Sequence, residues 1–439
     1  MHRSKKLKGE LPELPEFPDH VTSNIFSKLN LKDLVKTSTL SKLWRHEWEL
    51  RKELNFDIHN MFDQGLPKNL TLPLFYVFQS EFAARLDQFM LHYQGKTIHS
   101  IRVSFPLDDE HSDVIDRLIT KGMTKGVKHI ELLFSRQIDD TDIGLEMEPY
   151  KFSFARLSDT DSLMYLHLQN CCLVEPLEFS GLKNLRTLVL HLVAVKEDFL
   201  EGILSNCIHL VDFTLDACEF NSDLKIISPT LLHLKIVNCE VGIGEERKID
   251  IIASNLSSIE YSCNGCQVHT MNIKADMLSK FSFRGSEISK SVVFSGLKNV
   301  TSIVLDGLGE FLTNIVPRLF SECLQLEDVT FKNCWLMCDL EIISPKLRHL
   351  SIIDCSYEGL SPFLITIDAF NLSSFEYSGN TRVFSIKAPR LTKLFWDATT
   401  REETPFAFAS YESFRYIENL TMIVSTFQVI KIKSMFVIT

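Results

Sequence analysis

Apolar positions along most of this chain follow one template, L-x-x-L-x-L-x-x-C/N. It reads as Leu163, Leu166, Leu168, Cys171, then as Leu210, Phe213, Leu215, Cys218, and as Leu231, Leu234, Ile236, Cys239. Leu256, Ile259, Tyr261, Asn264 repeat it, as do Leu326, Val329, Phe331, Cys334 and Leu347, Leu350, Ile352, Cys355, and then Leu372, Phe375, Tyr377, Asn380. Looser copies begin at Ile98, Val127, Leu185, Leu278, Val300 and Leu391, and from Leu163 to Leu391 the spacing is 19 to 26 residues. Inside each copy apolar and polar residues alternate with period two, which predicts a short strand with one buried face. One strand and its return cannot bury that face alone, so neighbours must stack into a continuous parallel sheet. Ahead of the regular copies the pattern predicts a helix at Phe82–Phe89, a strand at Ile98–Phe105, a helix at Val114–Ile119 and a strand at Val127–Phe134. The stretches Asp63–Pro67 and Asp139–Glu148 read as loops.

Nearer the N-terminus the period becomes helical. Pro18 and Asp19 suit a first helical turn, and Val21, Ile25 and Leu29 follow at i, i+4 and i+8. Asn30 interrupts, Leu31–Val35 opens a second amphipathic segment, and Ser41 is placed to cap a third in which Trp44 and Trp48 share a face. Three helices this short cannot bury their apolar surface among themselves, so part of it is expected to dock on a partner.

The repeating template is the leucine-rich-repeat signature. A longer period lies above it. Phe179–Asn184 reappears as Phe294–Asn299 at an offset of 115, while Ile226–Pro229, Asn255–Ser258 and Cys239 reappear as Ile342–Pro345, Asn371–Ser374 and Cys355 at 116. The matched landmarks argue for duplication of a block of about five repeats, which extends a binding surface without creating a catalytic pocket. The expected fold class is α/β, a short N-terminal helical module followed by a repeat solenoid with parallel strands on its concave face. The expected divisions are a basic flexible tail at 1–10, the helical module at 11–54, a linker with early irregular repeats at 55–160, the solenoid at 161–420, and a tail or cap at 421–439.

The N-terminal module resembles the F-box of plant F-box/leucine-rich-repeat proteins. Phe17-Pro18-Asp19, Ile25-Phe26, Leu29-Asn30 and Leu40-Ser41-Lys42-Leu43-Trp44-Arg45 stand where that family has Leu-Pro-Asp, Ile-Leu, Leu-Pro and Leu-Ser-Lys-Arg-Trp-Arg. The early helix–strand pairs also look like that family's first, longer repeats. The resemblance implies binding to a Skp-type adaptor, and through it to a cullin, with Pro18, Ile25, Leu29, Leu34, Val35, Leu40 and Trp44 contributing to the contact. Phe17 and Leu43 depart from the family pattern, and both leave the apolar face intact. The implied role is a substrate-recognition subunit of a ubiquitin ligase, with an unidentified protein as substrate. The alternative is a repeat scaffold whose F-box is degenerate or serves only as a cap. Substrate contacts are expected at Thr214, Lys235, Glu260, Thr330, Ser351 and Glu376, which fall between inward-turned strand residues and so point outward.

Composition narrows the classes. Apolar residues make up 45% and charged residues 23%, as in globular proteins, and no run of about 18 apolar residues suggests a membrane span. The N-terminus lacks the apolar core of a secretory signal, so the expected compartment is cytoplasmic or nuclear. The cluster Arg3, Lys5, Lys6, Lys8 reads as a solvated tail in preference to a nuclear signal. Net charge is −11, from 11 Lys/Arg against 9 Asp/Glu in residues 1–60 and 35 against 48 in the rest. An acidic array disfavours nucleic acid. Eleven cysteines, an odd number all after residue 170, do not suggest a disulfide framework; five hold the ninth template position, where a small side chain can bond buried backbone. Cys263-x-x-Cys266 with His269 lacks the further ligands that a zinc site needs. No phosphate-binding glycine loop, nucleophile elbow or zinc-protease helix motif occurs, the histidines are scattered, and no basic cluster marks a phosphorylated cofactor. No catalytic residue, metal or cofactor is expected.

Overall fold

The computed structural model describes residues 19–39, 43–63, 67, 71–134, 137–138, 141–142, 148–157, 161–174, 181–195, 197–220, 223–241, 247–263, 268–285, 293–308, 312–336, 339–357, 364–379, 383–398, 407–408 and 416–424. Helix α1 (Asp19–Lys28), α2 (Leu31–Thr37) and a 3-10 helix (Leu43–Leu50) precede strand β1 (Glu53–Asp57). A short helix α3 (Ile58–Met61) and the long α4 (Leu72–His92) lead to β2 (Ser100–Ser104), and α5 (Ser112–Thr124) leads to β3 (His129–Leu133). The regular strands are β4 (Tyr165–Gln169), β5 (Thr187–His191), β6 (Asp212–Asp216), β7 (His233–Val241), β8 (Ser258–Cys263), β9 (Lys280–Arg284) and β10 (Ser302–Asp306). They continue as β11 (Asp328–Lys332), β12 (His349–Tyr357), β13 (Ser374–Gly379), β14 (Lys393–Ala398) and β15 (Asn419–Val424), with α6 (Glu197–Asn206) before β6 and α7 (Leu312–Glu322) before β11.

These fifteen strands form one parallel sheet in sequence order, each paired with the strand before and after. The alternation of the template explains it. Second and fourth positions, such as Leu166 and Leu168, Leu188 and Leu190, Phe213 and Leu215, or Phe375 and Tyr377, are buried, while the residues between them face out. The buried side chains join into one core running from Leu31 to Trp396.

After β4, β6 and β11, and at the irregularities within β7 and β12, the chain bends at a residue with left-handed backbone. Asn170, Ala217, Asn238, Asn333 and Asp354 have φ between 47° and 54°, and a cysteine follows each. Those thiols bond carbonyls left open by the turn. Cys218 donates to Leu190 O at 3.2 Å, Cys239 to Val237 O at 3.3 Å and Cys334 to Lys332 O at 3.0 Å. The hydrogen bond with Cys218 and burial push the Cys239 thiol up, and Cys334 and burial do the same for Cys355, so these thiols are protonated packing groups.

The convex side is less regular. Helices α4, α5, α6 and α7 cover parts of it. Elsewhere it carries two four-stranded parallel sheets, one of Leu224–Ile227, Arg247–Ile252, Val268–Lys274 and Val293–Ser295, the other of Leu340–Ile343, Leu364–Asp368, Val383–Lys387 and Ala407–Phe408. Period-two burial at Ile249 and Ile251, Ile365 and Ile367, and Phe384 and Ile386 accounts for them. Gly296, at φ +86°, sits where a Cβ would lie 1.8 Å from Ile273 O, so only glycine fits there.

Three expectations change. The boundaries at 54/55 and 420/421 fall inside β1 and β15, because strand pairing runs through both. The stretch expected as loop near Asp139 includes a short antiparallel pairing of Gln137–Ile138 with Thr141–Asp142. The third N-terminal helix is 3-10, with three residues per turn, so Trp44 and Trp48 diverge instead of sharing a face.

Candidate interaction surfaces

The first surface belongs to the N-terminal module. Asn30 starts α2 by accepting a hydrogen bond from Asp33 N at 2.8 Å. Arg51 ties α1 down by donating to Leu29 O at 2.6 Å. Trp44 packs edge-on against Phe26 at 5.5 Å within the module. Trp48 turns the other way, onto Phe89 of α4 at 5.1 Å and Tyr93 at 6.1 Å, and its indole N–H donates to Arg45 O at 3.1 Å. Lys32 donates to Phe62 O at 2.6 Å, and Leu31 N–H to Asn60 Oδ1 at 3.2 Å, so the module is bonded to the first repeat as well as packed on it.

Of the residues expected at the adaptor contact, Ile25 is 45% exposed and Val35 37%. Leu29 and Trp44 are half-buried. Leu34 is 1% exposed and lies in the module's own interior, where it supports the face instead of lining it. Pro18 and Leu40 lie outside the described residues, as do Ser41, Asn264, Cys266 and Asn380. Val35 also lines a groove of about 670 Å³ between module and array, with Trp48, Phe89 and Met61 among its apolar walls and Arg45, Arg85 and His92 on its rim. The sequence reading missed this groove because its two walls come from separate elements.

The second surface is the concave face. Register places Thr214, Lys235, Glu260, Thr330, Ser351 and Glu376 on one continuous row, with Ser282 and Val304 between Glu260 and Thr330. Four of the six engage one another. Lys235 Nζ is 2.8 Å from Glu260, and Ser351 donates to Glu376 at 3.0 Å. These contacts are partly solvated and worth little, so a partner can replace them at small cost. Toward β1 the same row continues through Val189, His167, Glu131 and Arg102. There His129 stacks on Tyr165 at 5.0 Å and His167 lies 6.4 Å from His191, an imidazole and aromatic patch that the scattered sequence positions did not reveal. Burial, with His191 and Arg102 nearby, pulls the His167 imidazole down to about 4. Among the described residues, no group of three or more His, Cys, Asp or Glu is placed to hold a metal ion, and no helix is long and apolar enough to cross a membrane.

Both halves of this architecture have named counterparts. An F-box domain model matches residues 14–54, and the leucine-rich-repeat domain model of the At1g61320/AtMIF1 type matches residues 92–316, just over half of the chain. Curated relatives from Arabidopsis thaliana align along most of its length. F-box/LRR-repeat protein 13 is 24% identical over 355 residues, covering 77% of this chain and 73% of the relative. F-box/FBD/LRR-repeat protein At4g00160 is 26% identical over 348 residues, covering 78% and 72%. F-box/LRR-repeat protein At3g26922 is 25% identical over 307 residues, covering 69% and 87%. The chain belongs to the plant F-box/leucine-rich-repeat family.

Proposed function

We propose that this chain is the substrate-recognition subunit of a Skp–cullin–F-box ubiquitin ligase, with the F-box module holding the adaptor and the concave face of the repeats holding a protein substrate. The observation that carries this reading is an F-box module with exposed Ile25 and Val35, joined by one core to an array of fifteen strands with an open polar face. Apolar side chains left in water on so small a module suit a partner surface. Such a subunit needs no chemistry of its own. Holding a substrate beside a charged conjugating enzyme raises effective concentration, and proximity supplies the rate.

The test is a pull-down with purified Skp-type adaptors, comparing wild type with Ile25→Ala/Val35→Ala. Both side chains are solvent-facing, so the variant keeps its fold. Loss of about tenfold or more in adaptor affinity supports the reading. A wild-type chain that binds no adaptor refutes it and leaves the repeat-scaffold alternative.

A further inference from the structure

We propose that the concave rim at β3–β5 is a binding site for a phosphorylated side chain of the protein partner, a proposal that rests on the substrate-recognition reading above. Lys128, Met164 and Arg186 each stand immediately before a strand. Met164 N–H donates to Lys128 O at 2.8 Å and Arg186 N–H to Met164 O at 2.8 Å, which fixes the three on successive rungs. Parallel neighbours are about 4.8 Å apart, so the Lys128 and Arg186 backbones are about 10 Å apart, with Met164 between them. Both basic side chains are exposed, and neither has an ion-pair partner among the described residues. Farther along the same rim the arrangement differs, because Arg348 is paired with Glu327 at 3.4 Å.

These cations surround a depression of about 340 Å³ that also takes in His209, from the turn before β6, and Asn184. Ser162 and Asp161 complete its wall. The Ser162 hydroxyl donates to Val127 O at 2.9 Å, and the Asn184 amide donates to Asp161 O at 2.7 Å. Asp161 is the one acidic side chain in the lining. Residues from 61 onward carry 35 basic against 48 acidic groups, so a lining with two cations against one carboxylate stands out in an array that is acidic as a whole.

Charge sign and oxygen count select the ligand. The lining holds two cations against one carboxylate, a net charge of +1 that favours an anion. A phosphomonoester offers three terminal oxygens, so Arg186 can grip two of them while Lys128 meets the third. A carboxylate has only two oxygens, and both would be taken by Arg186. One row inward, the stacked His129 and Tyr165 rings offer an aromatic floor for the segment bearing the phosphate. The basic residues are scattered from position 128 to 209 in the sequence, and only the rung geometry gathers them.

The experiment uses the full chain and a degenerate phosphoserine-peptide pool, read by fluorescence anisotropy at constant ionic strength. The comparison pools are the dephosphorylated form and one with glutamate replacing phosphoserine. The phosphorylated pool should bind at least tenfold tighter than either. Lys128→Gln/Arg186→Gln should abolish that preference with an unchanged melting temperature, whereas Lys280→Gln, an exposed lysine on β9, should keep it. Equal binding of phosphorylated and dephosphorylated pools by wild type overturns the proposal, as does a double variant that keeps the preference. Equal binding of the glutamate pool overturns the phosphate assignment. Adaptor pull-down on the same preparation separates the two readings, because phosphate preference does not depend on adaptor binding.

Discussion

Trp48→Ala should loosen the F-box module from the array without unfolding the repeats. Trp48 is half-buried, with its ring 5.1 Å from Phe89 and 6.1 Å from Tyr93. Removing about 100 Å² of buried indole at about 25 cal/mol per Å² costs about 2.5 kcal/mol, and losing the ring pairs adds about 0.5–1 kcal/mol. The total, about 3 kcal/mol, corresponds to an increase of roughly two orders of magnitude in the local opening equilibrium. Repeats touch only their neighbours, so the damage should fade within a few rungs. Hydrogen exchange followed by mass spectrometry reads this directly. Amides of α2 and of Leu43–Leu50 should exchange about a hundredfold faster, with β8–β13 unchanged. Unchanged protection in α2 would refute the anchoring role, and a uniform loss across all strands would refute the nearest-neighbour argument.

Two other outcomes follow from single positions. Gly296→Ala should destabilise the chain by about 2–4 kcal/mol in urea unfolding, because the new Cβ meets Ile273 O and the backbone is left-handed. The folded-state value of His167 lies at about 4, below the ordinary 6.5. The unfolded chain therefore takes the proton first, so this stabilisation is complete above pH 6.5 and is lost as pH falls from 6.5 toward 4. His167→Gln should reduce the slope of melting temperature against pH in that window, by no more than one proton's worth. An unchanged slope would mean that the imidazole is not held neutral.

Much of the sheet was legible because its signal is periodic. The template beginning at Leu163 became β4 at Tyr165–Gln169, and the six residues chosen for outward direction share a row because register never slips between rungs at that position. The convex sheets were not read. Ile249 and Ile251, or Ile365 and Ile367, alternate correctly, yet runs this short between stronger strands look like return loops. β1 was missed because Glu53–Asp57 is one isolated alternation beside helical sequence. The divergence of Trp44 and Trp48 depended on 3-10 winding, which i, i+4 spacing does not reveal. The groove beneath Trp48 and the cationic rim depend on contacts between distant elements, to which no local pattern is sensitive.

The fixed spacing of the rungs turns the array into a ruler. Fourteen steps separate β1 from β15, so the sheet measures roughly 65–70 Å along its arc. Because the module shares a core with β1, the zero of that scale is tied to the F-box. A segment held at β3–β5 sits about 10–20 Å along it, while one held at Glu376 on β13 sits almost 60 Å away. On the proposed ligase reading, where a partner binds along the strands would set which of its lysines reach the conjugating enzyme, so two partners of similar affinity would be modified at very different rates.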